Sequence, residues 1–263
     1  MLIDHKSQSV FIHIPKNAGM TIRNCLISRN KDIISLNNLM GNRNDRGVID
    51  ITHMTLKCLH EERSDLFNIV RDYKSFAIWR DPVSRFHSAM AQFIRNYSSL
   101  DYFCLSKREY EELCCKKLDY IEEKINTKGS FDYKNIHFTP QIEFIYFRGE
   151  KVINEVFVLK DINSLLKSLE DRMNISLDCS QKIISNRSLV IKSYVPRIVI
   201  NFGRMILRNT SQNFKDALKE KLNKILLVAP DSKFDFLLME AINSRIKDLY
   251  RLDYEILSKD EIP

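Results

Sequence analysis

Two short segments bring together side chains able to handle a phosphorylated ligand. In Phe11–Thr21 (FIHIPKNAGMT) an apolar run meets Pro15, Lys16 and small residues before a helical pattern begins. In Phe76–Ser88 (FAIWRDPVSRFHS) a second apolar run ends at Arg80, and Asp81-Pro82 opens a helical pattern carrying Ser88 two turns in. A strand that stops at a tight turn and restarts as a helix aims several backbone N–H groups at one spot. The helix dipole adds about half a positive charge there, and phosphate binds such a place. Lys16 supplies a full charge and three donors, while Ala18 and Gly19 let the backbone close around an anion. Asn17 and Thr21 offer side-chain donors, and Met20 completes the loop. Arg80 can hold a phosphate through two parallel hydrogen bonds, with Arg85 as its competitor. Asp81 suits a helix cap or a partner for an arginine. Taken singly, each segment has a plainer reading: a strand-to-helix turn with a surface lysine, and a structural Arg–Asp pair. The first loop is not a Walker A sequence, whose lysine directly precedes the Ser/Thr; here Thr21 follows Lys16 by five residues.

The elements that must position these groups read as alternating strands and helices. Val10–Ile14 is a β-branched run, apolar apart from His13, and predicts a buried parallel strand. Thr21–Arg29 predicts a helix with Ile22 and Leu26 inward. Residues 37–46 read as a polar loop, Val48–Thr52 as a strand ending at His53, and Leu56–Tyr73 as one helix. Ser75–Trp79 is the next buried strand. Pro82 sits where a helix tolerates it best, and that helix runs to about Tyr97. Ser106–Ile125 is a helix opened by the capping box Ser106/Glu109. After a loop over Asn126–Phe138 comes a strand at Glu155–Lys160 and an Asp161-capped helix to Arg172. Helices are expected at Pro196–Arg208, Asn213–Leu227 and Phe234–Tyr250. The pattern predicts a single α/β domain over residues 1–263, with a central, mostly parallel sheet flanked by helices and a helix-rich C-terminal third.

Composition narrows the function classes. The chain has 263 residues, 44% of them apolar, with few Gly and Pro (6 each), which argues against disorder. Its net charge of +7 suits an anionic ligand such as a nucleotide or an acidic glycan. No RNP, zinc-finger or helix-turn-helix signature supports a nucleic-acid partner. Six cysteines without CxxC spacing read as reduced thiols in a reducing compartment. With no signal peptide and no apolar run of about 18 residues, a cytoplasmic location is expected. The Pro196–Arg208 helix, arginines on one face and Ile198, Val199, Phe202 and Met205 on the other, reads as packed on the sheet. Its alternative is peripheral contact with an anionic inner-membrane surface, near a lipid-linked acceptor.

In this order and about 65 residues apart, the two motifs resemble those of the sulfotransferases that use 3′-phosphoadenosine 5′-phosphosulfate (PAPS). The resemblance is to the carbohydrate enzymes of the heparan-sulfate 2-O type and their bacterial counterparts. Ile14-Pro15-Lys16-Asn17-Ala18-Gly19-Met20-Thr21 corresponds to a family loop much like IPKTGGTS, which grips the 5′-phosphosulfate. Arg80-Asp81-Pro82, Arg85 and Ser88 fall in register with RDPxxRxxS, which grips the 3′-phosphate. Thr52-His53-Met54 fits a family histidine between the motifs, and His137-Phe138-Thr139-Pro140-Gln141 fits a histidine followed by Pro-Gln. Ser185-Asn186-Arg187-Ser188 resembles a loop that closes over the nucleotide, though without the histidine often found before its Asn. Leu249–Tyr254 resembles the family's C-terminal Tyr and Asp. The departures in the first loop are Asn17, Ala18 and Met20.

The resemblance implies a P-loop-like fold and transfer of a sulfuryl group from PAPS to a carbohydrate hydroxyl, in line as in phosphoryl transfer. His53 is then the base and Lys16 the cation at the leaving phosphate. Asn186, Arg187 and Ser188 join the nucleotide contacts, and His137 and Gln141 line the acceptor pocket or serve as structural hydrogen-bonding groups. No metal is implied. His13 is expected beside the cofactor or buried, His87 facing away, and His5 and His60 in solvent. Lys57, Arg95 and Lys134 are candidate contacts to an acidic glycan, or solvated charges. The competing readings are a P-loop-like nucleotide or small-molecule kinase, which lacks its GK[ST], and a catalytically silent nucleotide-binding protein.

Overall fold

The computed structural model describes residues 1–29, 32–36, 39–40, 49–102, 105–127, 129, 131–173, 190–191, 227–228 and 239–259. The expected helix at Pro196–Arg208 and the Asn186–Ser188 contacts lie outside them. In chain order the elements are β1 (Leu2–Asp4), β2 (Ser9–Ile12), α1 (Gly19–Arg29), β3 (Ile34–Ser35), β4 (Leu39–Met40), β5 (Ile49–Asp50), α2 (Leu56–Glu62), α3 (Ser64–Asp72), β6 (Lys74–Trp79), α4 (Pro82–Tyr97) and α5 (Lys107–Asn126). They continue with β7 (Tyr146–Phe147), β8 (Glu150–Lys151), β9 (Glu155–Val158), α6 (Ile162–Met173), β10 (Val190–Ile191), β11 (Leu227–Val228), α7 (Glu240–Leu249) and α8 (Arg251–Lys259).

Five strands form one sheet in the order β3-β1-β2-β6-β9. β2 pairs with β6 and β6 with β9 in parallel, while β1 is antiparallel to both its neighbours, so four of the five strands point the same way. The register sets Phe11 beside Phe76 and Ile12 beside Ala77. Because side chains alternate along a strand, the apolar runs feed two separate cores. On one face Val10, Ile12, Ala77 and Trp79 pack with Leu56 and Leu59 of α2, Leu66, Phe67 and Val70 of α3, and Ile256 of α8. On the other, Phe11, Phe76 and Ile78 pack with Ile22 and Leu26 of α1 and Leu165, Leu166 and Leu169 of α6. Strands buried on both faces explain why β2 and β6 read as continuous apolar runs.

The Cα positions group into two compact units. The first comprises Met1–Ala89, Ile121–Ser185 and Ile246–Pro263. It holds the five-stranded sheet and both of its cores. The second comprises Met90–Tyr120 and Asn186–Arg245. Within it the Lys117 ammonium lies 3.5 Å from the centre of the Phe93 ring, Arg245 pairs with Asp119 at 2.9 Å, and β10 and β11 form an antiparallel pair.

Several local expectations change. The helix foreseen over Leu56–Tyr73 is broken at Arg63, whose φ of −145° leaves the helical region while its guanidinium grips Asp65. Of the strand expected at Val48–Thr52, Val48 lies outside the described residues, Ile49–Asp50 are extended, and Ile51–His53 instead form a 3₁₀ turn capped by Asp50, which accepts from the Thr52 amide at 2.8 Å. Leu227 belongs to a strand and not to a helix, because it pairs with Ile191. Cys25 is disulfide-bonded, while Cys58, Cys114 and Cys115 take part in no disulfide. Sequence spacing carries no trace of a pairing made only by tertiary approach, and the bond removes the cysteine argument for a reducing compartment. The box Ser106/Glu109 forms as read, with Ser106 N donating to Glu109 at 2.8 Å and Glu109 N to Ser106 Oγ at 3.3 Å. Among the described residues no helix is long and apolar enough to cross a membrane.

Candidate functional site

β2 ends at Ile12, and the chain turns through residues 13–18 into α1. Thr21 and Ile22 are the first amides to find a helical carbonyl, both on Ala18 O, at 2.9 and 3.3 Å. The amides ahead of them are those that helix geometry leaves without an internal partner. Lys16 (φ 68°) and Ala18 (φ 58°) both occupy the left-handed region although neither is glycine. Two left-handed residues two apart fold the chain tightly ahead of α1. Gly19 is required for a different reason: a Cβ there would overlap the His13 imidazole. Lys16 and Thr21 are half-buried, and Met20 is exposed.

The second loop meets the first directly. Arg80 Nη1 donates to Lys16 O at 2.9 Å, and Arg80 Nε donates to Ser84 Oγ at 3.1 Å. Asp81 caps α4, accepting from Ser84 N at 2.9 Å, and its second oxygen accepts from Tyr254 Oη at 3.0 Å. Ser88 is one turn beyond Ser84 on the same face of α4. Arg85 is not a competitor for a ligand. It is 2% exposed, and its guanidinium donates to Pro15 O, His137 O and Thr139 O.

Behind both loops stands Gln141, fully buried. Its Oε1 accepts from Asn17 Nδ2 at 2.6 Å and from Arg80 N at 3.1 Å, and its Nε2 donates to Arg80 O at 2.8 Å. Asp253, also fully buried, accepts from the Gln141 and Ile142 amides at 3.0 and 2.9 Å. Of the roles considered for Gln141, the arrangement fits the structural one, since its amide is wholly engaged by protein groups. The Asn17 side chain likewise faces inward, its Nδ2 donating also to Ile78 O at 2.6 Å, so it braces the loop.

Three histidines form a row. The His13 and His53 ring centres are 4.6 Å apart and those of His53 and His137 are 5.4 Å apart, both edge to face. His53 Nδ1 lies 3.2 Å from His13 O. A carbonyl only accepts, so Nδ1 carries the proton and Nε2 keeps its lone pair. Asp50 Oδ2 is 3.9 Å from Nε2, placed to stabilise the imidazolium once a proton arrives. Burial pushes His53 down to about 4, against the upward pull of Asp50. Burial, with His53 and Lys16 beside it, pushes His137 down to about 3. Burial also holds His13 well below the usual range, so all three are neutral at pH 7. Among the described residues no group of three or more His, Cys, Asp or Glu side chains is placed to hold a metal ion.

On one side of His53 a cavity of about 550 Å³ opens, built entirely within the first unit. Asp50, Lys57, Tyr133, Glu143, Phe147 and Arg148 are among its walls. Burial raises the Glu143 carboxyl to about 7. His60, expected in solvent, packs on Phe67 and Phe147 (ring centres 5.2 and 4.9 Å away) and also lines this cavity, as does Lys57. His5 is exposed and contacts Tyr73 Oη at 2.8 Å, while His87 is buried beside Phe86. The link from Gln141 to Asp253 and the cavity are not legible in the sequence; its signals are the Pro140-Gln141 pair, with a structural role among its alternatives, and the C-terminal Tyr250 and Asp253. No family model matches the chain, and no curated protein or solved structure is significantly similar to it.

Replacing Gln141 by Ala removes one of the two bonds of the buried Asn17 amide and leaves the part-buried Arg80 N–H and carbonyl without their partner. A fully buried orphan costs about 1–3 kcal/mol, and these losses are partial, so chemical denaturation of Gln141→Ala is expected to show a deficit of roughly 2–3 kcal/mol; an unchanged midpoint contradicts the clamp. The buried histidines set a pH dependence. The unfolded chain takes up protons at about 6.5 whereas folded His53 and His137 resist to about 4 and 3. Their contribution is therefore intact above pH 6.5 and lost as pH falls through about 4 for His53 and about 3 for His137. Glu143 and Asp253, both raised by burial, act in the opposite sense in every variant. Unfolding free energy measured across this range should fall less steeply in His137→Gln than in wild type; parallel curves contradict a neutral buried His137.

Proposed function

We propose that the chain is a PAPS-dependent sulfotransferase acting on a carbohydrate hydroxyl, with a P-loop-like β2–α1 turn and a helix-rich C-terminal third. The observation that carries the reading is the 2.9 Å bond from Arg80 Nη1 to Lys16 O, which puts both cationic motifs within reach of one small molecule. The loop over residues 15–21, with Lys16 and the α1 N-terminus, is assigned to the 5′-phosphosulfate. Arg80 and Ser88 are assigned to the 3′-phosphate. Asn186, Arg187 and Ser188 keep their assignment from the resemblance alone. A cytoplasmic location and a glycan partner belong to the same reading.

PAPS would supply the sulfuryl group. The acceptor oxygen bonds to sulfur as the sulfur–oxygen bond to the 5′-phosphate breaks, and the bonding pair stays on that phosphate. His53 Nε2 takes the hydroxyl proton. His13 O fixes the tautomer that leaves Nε2 open, and Asp50 steadies the resulting imidazolium. Lys16 offsets the charge growing on the phosphate oxygen. A neutral His53 is competent at pH 7, and the nearby anionic ligand raises its affinity for the incoming proton.

Adenosine 3′,5′-bisphosphate should raise the melting temperature well above the effect of ATP with Mg²⁺; the reverse order favours a kinase, and no shift from either removes nucleotide binding. His53→Ala should lower transfer of labelled sulfate by at least about 10²-fold, the usual size of a general-base contribution, while bisphosphate still binds. Retained turnover removes His53 as the base, and a wild-type protein that binds without turnover is the silent homologue.

A further inference from the structure

The cavity beside His53 says more about the acceptor than the net charge of the chain does. Resting on the sulfotransferase reading, we infer that this cavity takes a short, neutral saccharide of one or two rings as acceptor, and not a polyanionic glycan. Size is the first argument. A volume of about 550 Å³ falls in the class that encloses a single small ligand.

Charge is the second. Lys57, Lys124 and Arg148 stand on the wall, and Asp50, Glu61 and Glu143 stand among them. With Glu143 raised to about 7 and so only partly ionised at neutral pH, three cations face two full negative charges and a fraction of a third, which leaves little net positive field, and a sulfated or uronate chain would be set against Asp50 and Glu61. Asp253 also lines the cavity, but it is raised by burial and its oxygens are already held by the Gln141 and Ile142 amides. The chain's +7 is therefore not concentrated at this place.

Chemistry of the wall is the third. Phe131, Tyr133, Tyr146 and Phe147 supply ring faces and edges. Rings of this kind cover the C–H face of a sugar, while interleaved acids and bases bond its hydroxyls in both senses. Tyr133 is 39% exposed, an apolar group left at the surface where it borders the cavity. His53 is itself a wall residue, so a hydroxyl of the occupant can approach the histidine that the proposed reaction uses as base.

The test is ligand-observed NMR on the intact protein with methyl glycosides, cellobiose, lactose and maltose, set against a sulfated chondroitin disaccharide. Wild type and Tyr133→Ala are compared, and adenosine 3′,5′-bisphosphate affinity is measured on the same samples. Binding of a neutral saccharide, weakened about tenfold in Tyr133→Ala as expected for one lost ring contact, with unchanged bisphosphate affinity, supports the inference. Binding of the sulfated disaccharide in preference to every neutral sugar overturns it. So does binding of none, or neutral-sugar binding indifferent to Tyr133. Neutral-sugar binding without bisphosphate binding keeps the cavity assignment and removes the sulfotransferase reading; the opposite pattern removes only the cavity assignment.

Discussion

The arrangement of the first unit depends on one buried amide. Gln141 holds the Asn17 side chain of the first loop and both backbone groups of Arg80 in the second, while Asp253 of α8 holds the Gln141 backbone. These groups are 61 to 124 residues apart in sequence, so no local preference brings them together. A primary amide suits the task because it offers donor and acceptor at once. In a dry interior each unmade bond is costly, so the network admits one relative placement of the two loops. Arg85 repeats the device, its guanidinium gathering carbonyls from Pro15, His137 and Thr139. The side chains that remain at the loop surface, Lys16, Arg80 and Ser88, are thereby mounted on a fixed frame.

That frame also governs the electrostatics. Lys16, Arg80 and Arg85 crowd one end of the sheet, and a protonated imidazole among them would be unwelcome. Burial, with Lys16 near both rings and Arg85 near His137, keeps His53 and His137 neutral. The His13 carbonyl then settles which nitrogen of His53 carries its proton, and Asp50 waits at the other. Cationic side chains and a neutral imidazole coexist here because the imidazole is largely buried, its side chain only 12% exposed. The cavity beyond His53 has a different character, mixed in charge and walled by rings.

Much of the scaffold was legible because its signals are local. Asp81-Pro82 marks the start of α4, Ser106 and Glu109 form the capping box they spell, and the apolar runs at Val10–Ile14 and Ser75–Trp79 become adjacent parallel strands. What was not legible depends on distant partners. β1 is too short to announce itself and is held by antiparallel pairing on both edges. Arg63 interrupts an otherwise periodic helix through a contact with Asp65 that periodicity does not register. The site divides in the same way. Lys16 and Arg80 stood out by type and position. Arg85 and Arg80 differ little in sequence, yet one is sealed among carbonyls and the other reaches the loop surface. The role of Gln141, the row of three histidines and the His60 wall exist only once the strands, helices and loops are packed.

The central claim is that one nucleotide bridges the two loops. A crystal structure of the protein with adenosine 3′,5′-bisphosphate tests it most directly. The expected complex has the 5′-phosphate on the amides of residues 16–21 beside the Lys16 ammonium, the 3′-phosphate against Arg80 and Ser88, and His53 Nε2 open to the cavity. A nucleotide bound elsewhere, or one touching only one of the two loops, contradicts it.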